Sequence, residues 1–169
     1  MKYIDYNNLY FTSEDGINCI IPLDFNNSEY IVTGINIIES DEDELNSDEV
    51  HKIYDTYNIS FCSRQNKPKL NLYCVPCLQV FAFDDEGVYG TIHSFDKDFL
   101  NSDIYYIDLK KNVYYLAKNI ETFSTMLINK SYDKSNLIIS KNITVFNDYF
   151  EALKTVNIEL CGIGNDSPS

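Results

Sequence analysis

A chain of 169 residues with 44% hydrophobic side chains suits one folded domain that buries about two-thirds of the surface its unfolded form exposes, so no disulfide or structural metal is required. Thirteen basic residues against 26 acidic ones leave a net charge of −13, a field that repels phosphate backbones and anionic headgroups and attracts basic proteins. No contact with nucleic acid or membrane is expected.

The opening stretch MKYIDYNNLYF lacks the basic head and apolar run of a secretory signal. Nothing later approaches the ~20 apolar residues of a membrane span, and a cytoplasmic location is expected. Five cysteines without an export signal are expected as reduced thiols. One domain is expected over residues 1–160, followed by a frayed tail at 161–169.

Ile20 to Asn27 and Thr33 to Asn36 read as strands. In ESDEDELNSDEVHKIYDTYN, Ser40 with Asp43 three residues on resembles a capping box, and Leu45, Val50, Ile53, Tyr54 and Tyr57 trace one apolar stripe, so a single helix is expected. The pair Cys74 and Cys77 has thiol–disulfide spacing, but strand-like LQVFAF follows where a redox pair needs a helix N-terminus. A structural role is the simplest account, a zinc site would need two further ligands, and thiol redox chemistry stays open.

Leu78 to Phe83 is nearly all apolar, as a strand covered on both faces would be. Asp84-Asp85-Glu86-Gly87 supplies turn chemistry, with Gly87 available for a positive φ, and Val88 to His93 returns as a strand. Gly90 inside that strand points to a bulge or a close backbone approach. Ile104 to Leu109 and Val113 to Ala117 follow, joined by Lys110-Lys111-Asn112, where Asn112 tolerates a left-handed conformation. The fold expected is α+β: a mainly antiparallel meander around residues 78–117, flanked by helices.

Asn119 is the expected N-cap of a helix carrying Ile120, Phe123 and Leu127. KNIETF (Lys118 to Phe123) is echoed by KNITVF (Lys141 to Phe146), which raises a strand–helix duplication, and a last helix is expected with Phe146, Tyr149, Phe150 and Leu153 on its apolar side.

Catalytic signatures are sparse. His51 and His93 are the two imidazoles, no GxSxG or Gly-rich phosphate loop occurs, and no catalytic residue, metal ligand or cofactor is assigned. Residues 39–49 instead hold Glu39, Asp41, Glu42, Asp43, Glu44, Asp48 and Glu49 without one basic side chain. Carboxylates in a first helical turn complement its dipole, but seven exceed what one turn can use. A solvated face, a partner-binding face and a divalent-cation site are the three readings. The EF-hand pattern is absent because DEDELNSDEV has no central Gly.

The succession VFAFDDEGVYG, SDIYYIDL and NVYYLAKNIETFSTML resembles the SUKH superfamily, which includes bacterial immunity proteins of polymorphic toxin systems and relatives of yeast cell-wall glucan-synthesis regulators. Residues 78–128 follow its order, with Ala117, Phe123 and Leu127 in the closing segment and the acidic helix from Ser40 before the meander. The opening Leu-Pro helix and Asn-Gly-Gly of that family are not found here, and the unit after Ser131 is additional. The resemblance implies a non-catalytic protein that binds a basic partner, a cognate toxin and often a nuclease, through an acidic surface. The contacts expected are Asp41, Glu42, Asp43, Glu44, Asp84, Asp85, Glu86 and Tyr89. The alternatives are a thiol redox protein using Cys74 and Cys77, and a binding module for a small molecule or glycan.

Overall fold

The computed structural model describes residues 2–8, 10–12, 18–20, 30–93 and 98–159. In chain order the elements are β1 (Lys2–Asp5), β2 (Tyr10–Thr12), β3 (Asn18–Ile20), β4 (Tyr30–Thr33), β5 (Ile35–Ile37), α1 (Glu42–Leu45), α2 (Asp48–Tyr57), β6 (Ser60–Phe61) and β7 (Tyr73–Val75). Then come β8 (Leu78–Asp84), β9 (Gly87–Ile92), β10 (Ile104–Asp108), β11 (Val113–Ala117), α3 (Ile120–Ile128), β12 (Ile138–Ile139), β13 (Thr144–Phe146), α4 (Tyr149–Leu153) and β14 (Ile158–Glu159). The tail expectation, and that for the strand from Ile20 beyond its first residue, lie outside the described residues.

The expected α+β meander is the centre of the molecule: β8, β9, β10 and β11 pair antiparallel in sequence order. Three short strands extend it. β12 adds beyond β11, while β5 runs parallel to the start of β8 and β6 antiparallel to its end. With partners on both sides, β8 is an interior strand, which explains its near-continuous apolar run. A smaller parallel sheet, β14-β1-β4, and the pairs β13-β7 and β2-β3 complete the pairing.

A bulge at Phe81 governs the sheet's two faces. Val80 pairs with Gly90 and Ala82 with Tyr89, leaving Phe81 without a partner between them. Phe81 and Ala82 therefore both join the core under α2 and α3, with Tyr89, Tyr106, Phe123 and Leu127, whereas Val80 faces the opposite core of Val88, Tyr105, Ile107 and Val113. Gly90 is needed at this point because a Cβ there would lie 2.8 Å from Leu78 Cγ. Of the two alternatives expected for Gly90, the close backbone approach is present, since that Cβ would also lie 2.5 Å from the Gln79 carbonyl oxygen, while the bulge belongs to the neighbouring strand.

Five local expectations are corrected. The helix from Ser40 is two helices: Ser47, extended at φ −68 and ψ 150, interrupts it and caps α2 by accepting from the Val50 N–H at 3.3 Å. Ser40 instead donates its N–H to the Cys62 carbonyl. Gly87 has no positive φ; Asp85 and Glu86 form the turn, and the Asp84 carboxylate accepts from the Glu86 N–H at 2.8 Å. The glycine is required because a Cβ would run into the Ile107 carbonyl and lie 2.8 Å from the Tyr106 ring. In the next hairpin Lys111, not Asn112, is left-handed, at φ 67. The duplication fails, since Asn119 caps α3 by accepting from the Thr122 N–H at 2.7 Å whereas Thr144–Phe146 is a strand paired with β7. Phe146 thus precedes α4, whose buried residue is Ala152 while Phe150 and Leu153 are exposed.

Candidate functional site

The loop from β5 bends at Asp41 into α1 and, through Asn46 and Ser47, into α2, forming a corner on which every acidic side chain from Glu39 to Glu49 is exposed. Asp48 and Glu49 sit in the first turn of the ten-residue α2, where its dipole favours them. Asp41, Glu42, Asp43 and Glu44 have no such account. α1 has only four residues, and the Asp41 side chain makes no cap hydrogen bond. Among the described residues, Lys67 pairs with Glu39 at 2.5 Å and the other six carboxylates of the corner have no ion-pair partner. Folding does not explain this charge density, which raises repulsion among neighbours.

Beside the corner a groove of about 520 Å³ runs between the α1–α2 segment and the start of α3. Leu45, Val50, Phe61, Phe81, Phe99 and Ile120 form its apolar lining, and Glu39, Glu44 and Glu49 stand at its edge. Phe99 and Ile120 are distant in sequence, so no local pattern announces them. Of the apolar stripe expected on α2, only Ile53 is buried.

The second acidic segment behaves differently. The Asp84 side chain is 2% exposed and receives a salt bridge from Lys134 at 2.6 Å. Tyr89 donates to its Oδ2 at 2.7 Å and Tyr106 to its Oδ1 at 3.2 Å. Because the single Tyr89 proton is committed to the carboxylate, Tyr132 must be the donor in the 2.9 Å contact between the two phenols. Burial, assisted by the Tyr132 phenol and the Asp84 carboxylate, pushes the pKa of Tyr89 upward. Burial opposes the Lys134 charge, but its hydrogen bonds to Asp84 and Glu86 outweigh that and raise its pKa.

Asp84 and Tyr89 are therefore interior groups of a satisfied network. Tyr89 is 0% exposed and has no surface to offer a partner. That expectation fails because the Phe81 bulge turns Ala82 and Asp84 to the same side as Tyr89. Glu86 is exposed but pairs with Lys134 at 2.8 Å, and Asp85 accepts from the Asn58 side chain at 2.7 Å. Asn58 is the left-handed C-cap of α2. The hairpin tip thus abuts the end of α2 opposite the acidic corner, about 15 Å away along a ten-residue helix. The structure brings Asp41, Glu42, Asp43 and Glu44 together and leaves Asp84, Asp85 and Glu86 apart from them.

Cys74 and Cys77 flank the cis Val75–Pro76 bond as free thiols, both fully buried. Burial pushes both pKa values up, while thiol exchange needs an accessible thiolate. Cys62 is likewise buried and pushed up to about 12. Nearby, the buried Asp5 carboxylate accepts from Tyr73. Tyr73 also contacts the Thr33 hydroxyl at 2.7 Å. His51 is exposed on α2, whereas His93 is half-buried in a T-shaped contact with the Tyr6 ring, and burial lowers its pKa.

Among the described residues no cluster of His, Cys, Asp and Glu is arranged for a metal ion, and no helix is long and apolar enough to cross a membrane. Compared with family models, curated proteins and solved structures, the chain finds no match.

Proposed function

We propose that the chain is a non-catalytic binding module that captures a basic protein through the corner formed by α1 and the start of α2. The observation that carries this reading is the set of six exposed carboxylates that have no ion-pair partner among the described residues and stand beside an apolar groove. Lysine and arginine side chains of a partner would relieve the repulsion at Asp41, Glu42, Asp43 and Glu44, and an apolar side chain seated in the groove would supply a desolvated anchor. Asp85 and Glu86 can add contacts only to a partner long enough to follow α2 from one end to the other.

The SUKH-like order of the meander and α3 supports a narrower version, an immunity protein acting in the bacterial cytoplasm on a toxin with a basic substrate groove, such as a nuclease. The test is association of the purified chain with the toxin domain encoded beside it, followed by stopped-flow at rising ionic strength. The association rate is expected to fall steeply with salt, because exposed charges more than a Debye length of about 8 Å apart are screened at physiological strength. A partner that neither binds nor is neutralised at that ionic strength would refute the proposal.

A further inference from the structure

A second groove, of about 450 Å³, lies between the segment 67–72 and the tips of the β8–β9 and β10–β11 hairpins. The apolar surface it offers comes from the partly exposed Leu70, Leu72 and Phe83 and from Leu109, 74% exposed, over a floor in which Val88 and Ile107 are buried. The volume falls within the ~300–1,000 Å³ usual for small-molecule sites.

The charge available in this groove is opposite to that of the chain as a whole. Two carboxylates line it, and both are consumed internally. Asp84 is held by Lys134, Tyr89 and Tyr106. Asp108 accepts from the Lys110 and Asn112 N–H groups, the Asn112 amide and the Tyr114 hydroxyl, and these bonds hold its pKa low against the opposing effect of burial. Of the three lysines lining the groove, Lys67 pairs with Glu39, whereas Lys69 and Lys111 have no ion-pair partner among the described residues. Lys111 also occupies a left-handed backbone position, φ 67, that Gly or Asn would adopt at less cost. Local folding therefore does not account for a lysine there.

We propose that this groove binds a small amphiphilic anion, an apolar chain or ring bearing one carboxylate, with the body against Leu70, Leu72, Phe83 and Leu109 and the charged head toward Lys69 and Lys111. The site is separate from the acidic corner and does not depend on the reading of that corner. Apolar walls without the lysines would take a neutral lipid equally well, and lysines without the walls would hold any anion loosely. Together they select for both features at once.

The test titrates the isotope-labelled chain with decanoate and, in parallel, with decanol, following amide shifts by NMR. Saturable shifts confined to residues 67–72, 83–88 and 107–111 are expected, with decanol binding at least about tenfold more weakly, since a charge-assisted hydrogen bond to ammonium is worth that much. The combined variant Lys69→Gln and Lys111→Asn should lose decanoate binding about tenfold or more while keeping its fold, because Asn accepts the left-handed position. Equal binding of decanol, undiminished decanoate binding by the variant, shifts centred elsewhere, or no saturable shifts at all would each overturn the proposal.

Discussion

Raising the pH from 7 to 10 should remove much of this protein's stability, and the size of the effect follows from its buried acids. Cys62, Cys74 and Cys77 are fully buried, and burial raises each from an ordinary value of 9.0. Tyr73, Tyr89, Tyr106 and Tyr132 are also buried and raised from 10.0. A group whose folded pKa is raised stabilises fully below its unfolded pKa. That stability is lost as pH rises from the unfolded value toward the folded one, because the unfolded chain releases a proton that the native state keeps. At pH 10 each thiol has then forfeited about 1.4 kcal/mol and each phenol about 0.4 kcal/mol, about 6 kcal/mol in all. A typical domain has only about 5–15 kcal/mol to lose.

Urea unfolding followed by far-UV circular dichroism at pH 7, 8, 9 and 10 reads this directly. A reductant keeps the thiols free, and about 0.5 M salt screens general repulsion. The midpoint should change little below pH 8 and drop steeply above 9. A midpoint that moves by less than about 1 kcal/mol between pH 8 and 10 would refute the argument. So would native thiols that react as fast as free cysteine at pH 8.

Four substitutions probe the packing that positions the corner and the hairpin. Lys134→Met leaves the buried Asp84 carboxylate with its tyrosine donors but without its cation, and should cost about 2 kcal/mol, or about 1 M in the urea midpoint; an unchanged midpoint would mean that solvent already carries this charge. Gly87→Ala puts a methyl group against the Ile107 carbonyl, and a loss of at least about 3 kcal/mol or failure to fold is expected in the same assay. Ser47→Ala should cost about 1 kcal/mol and Ser40→Ala under about 0.5, as judged by thermal unfolding, and the reverse order would restore the single helix expected from the sequence.

The meander was legible because alternation, apolar runs and turn residues act locally: Leu78 to Ala117 declares its strands within a residue or two. The cap at Asn119 was equally plain. What sequence does not carry is the partner of a side chain. Nothing near Asp84 indicates that Lys134, fifty residues on, neutralises it, or that a one-residue bulge at Phe81 turns Asp84 and Tyr89 inward together. Ser40 and Ser47 both fit a cap, and the backbone bond from Ser40 to Cys62, a tertiary contact, decides between them. The charge of residues 41–44 was read correctly as exposed, but its separation from the hairpin tip is set by the length of α2 and by Asn58 at its end.

The central claim is that the α1–α2 corner, and not the hairpin tip, captures the partner. Calorimetric titration of the proposed basic partner with two amide variants tests it: Asp41→Asn, Glu42→Gln, Asp43→Asn and Glu44→Gln together, against Asp85→Asn with Glu86→Gln. The corner variant should weaken binding about 100-fold or more, at roughly 0.7 kcal/mol for each charge removed, and the tip variant less than about fivefold. Undiminished binding by the corner variant, or a greater loss at the tip, would contradict the account.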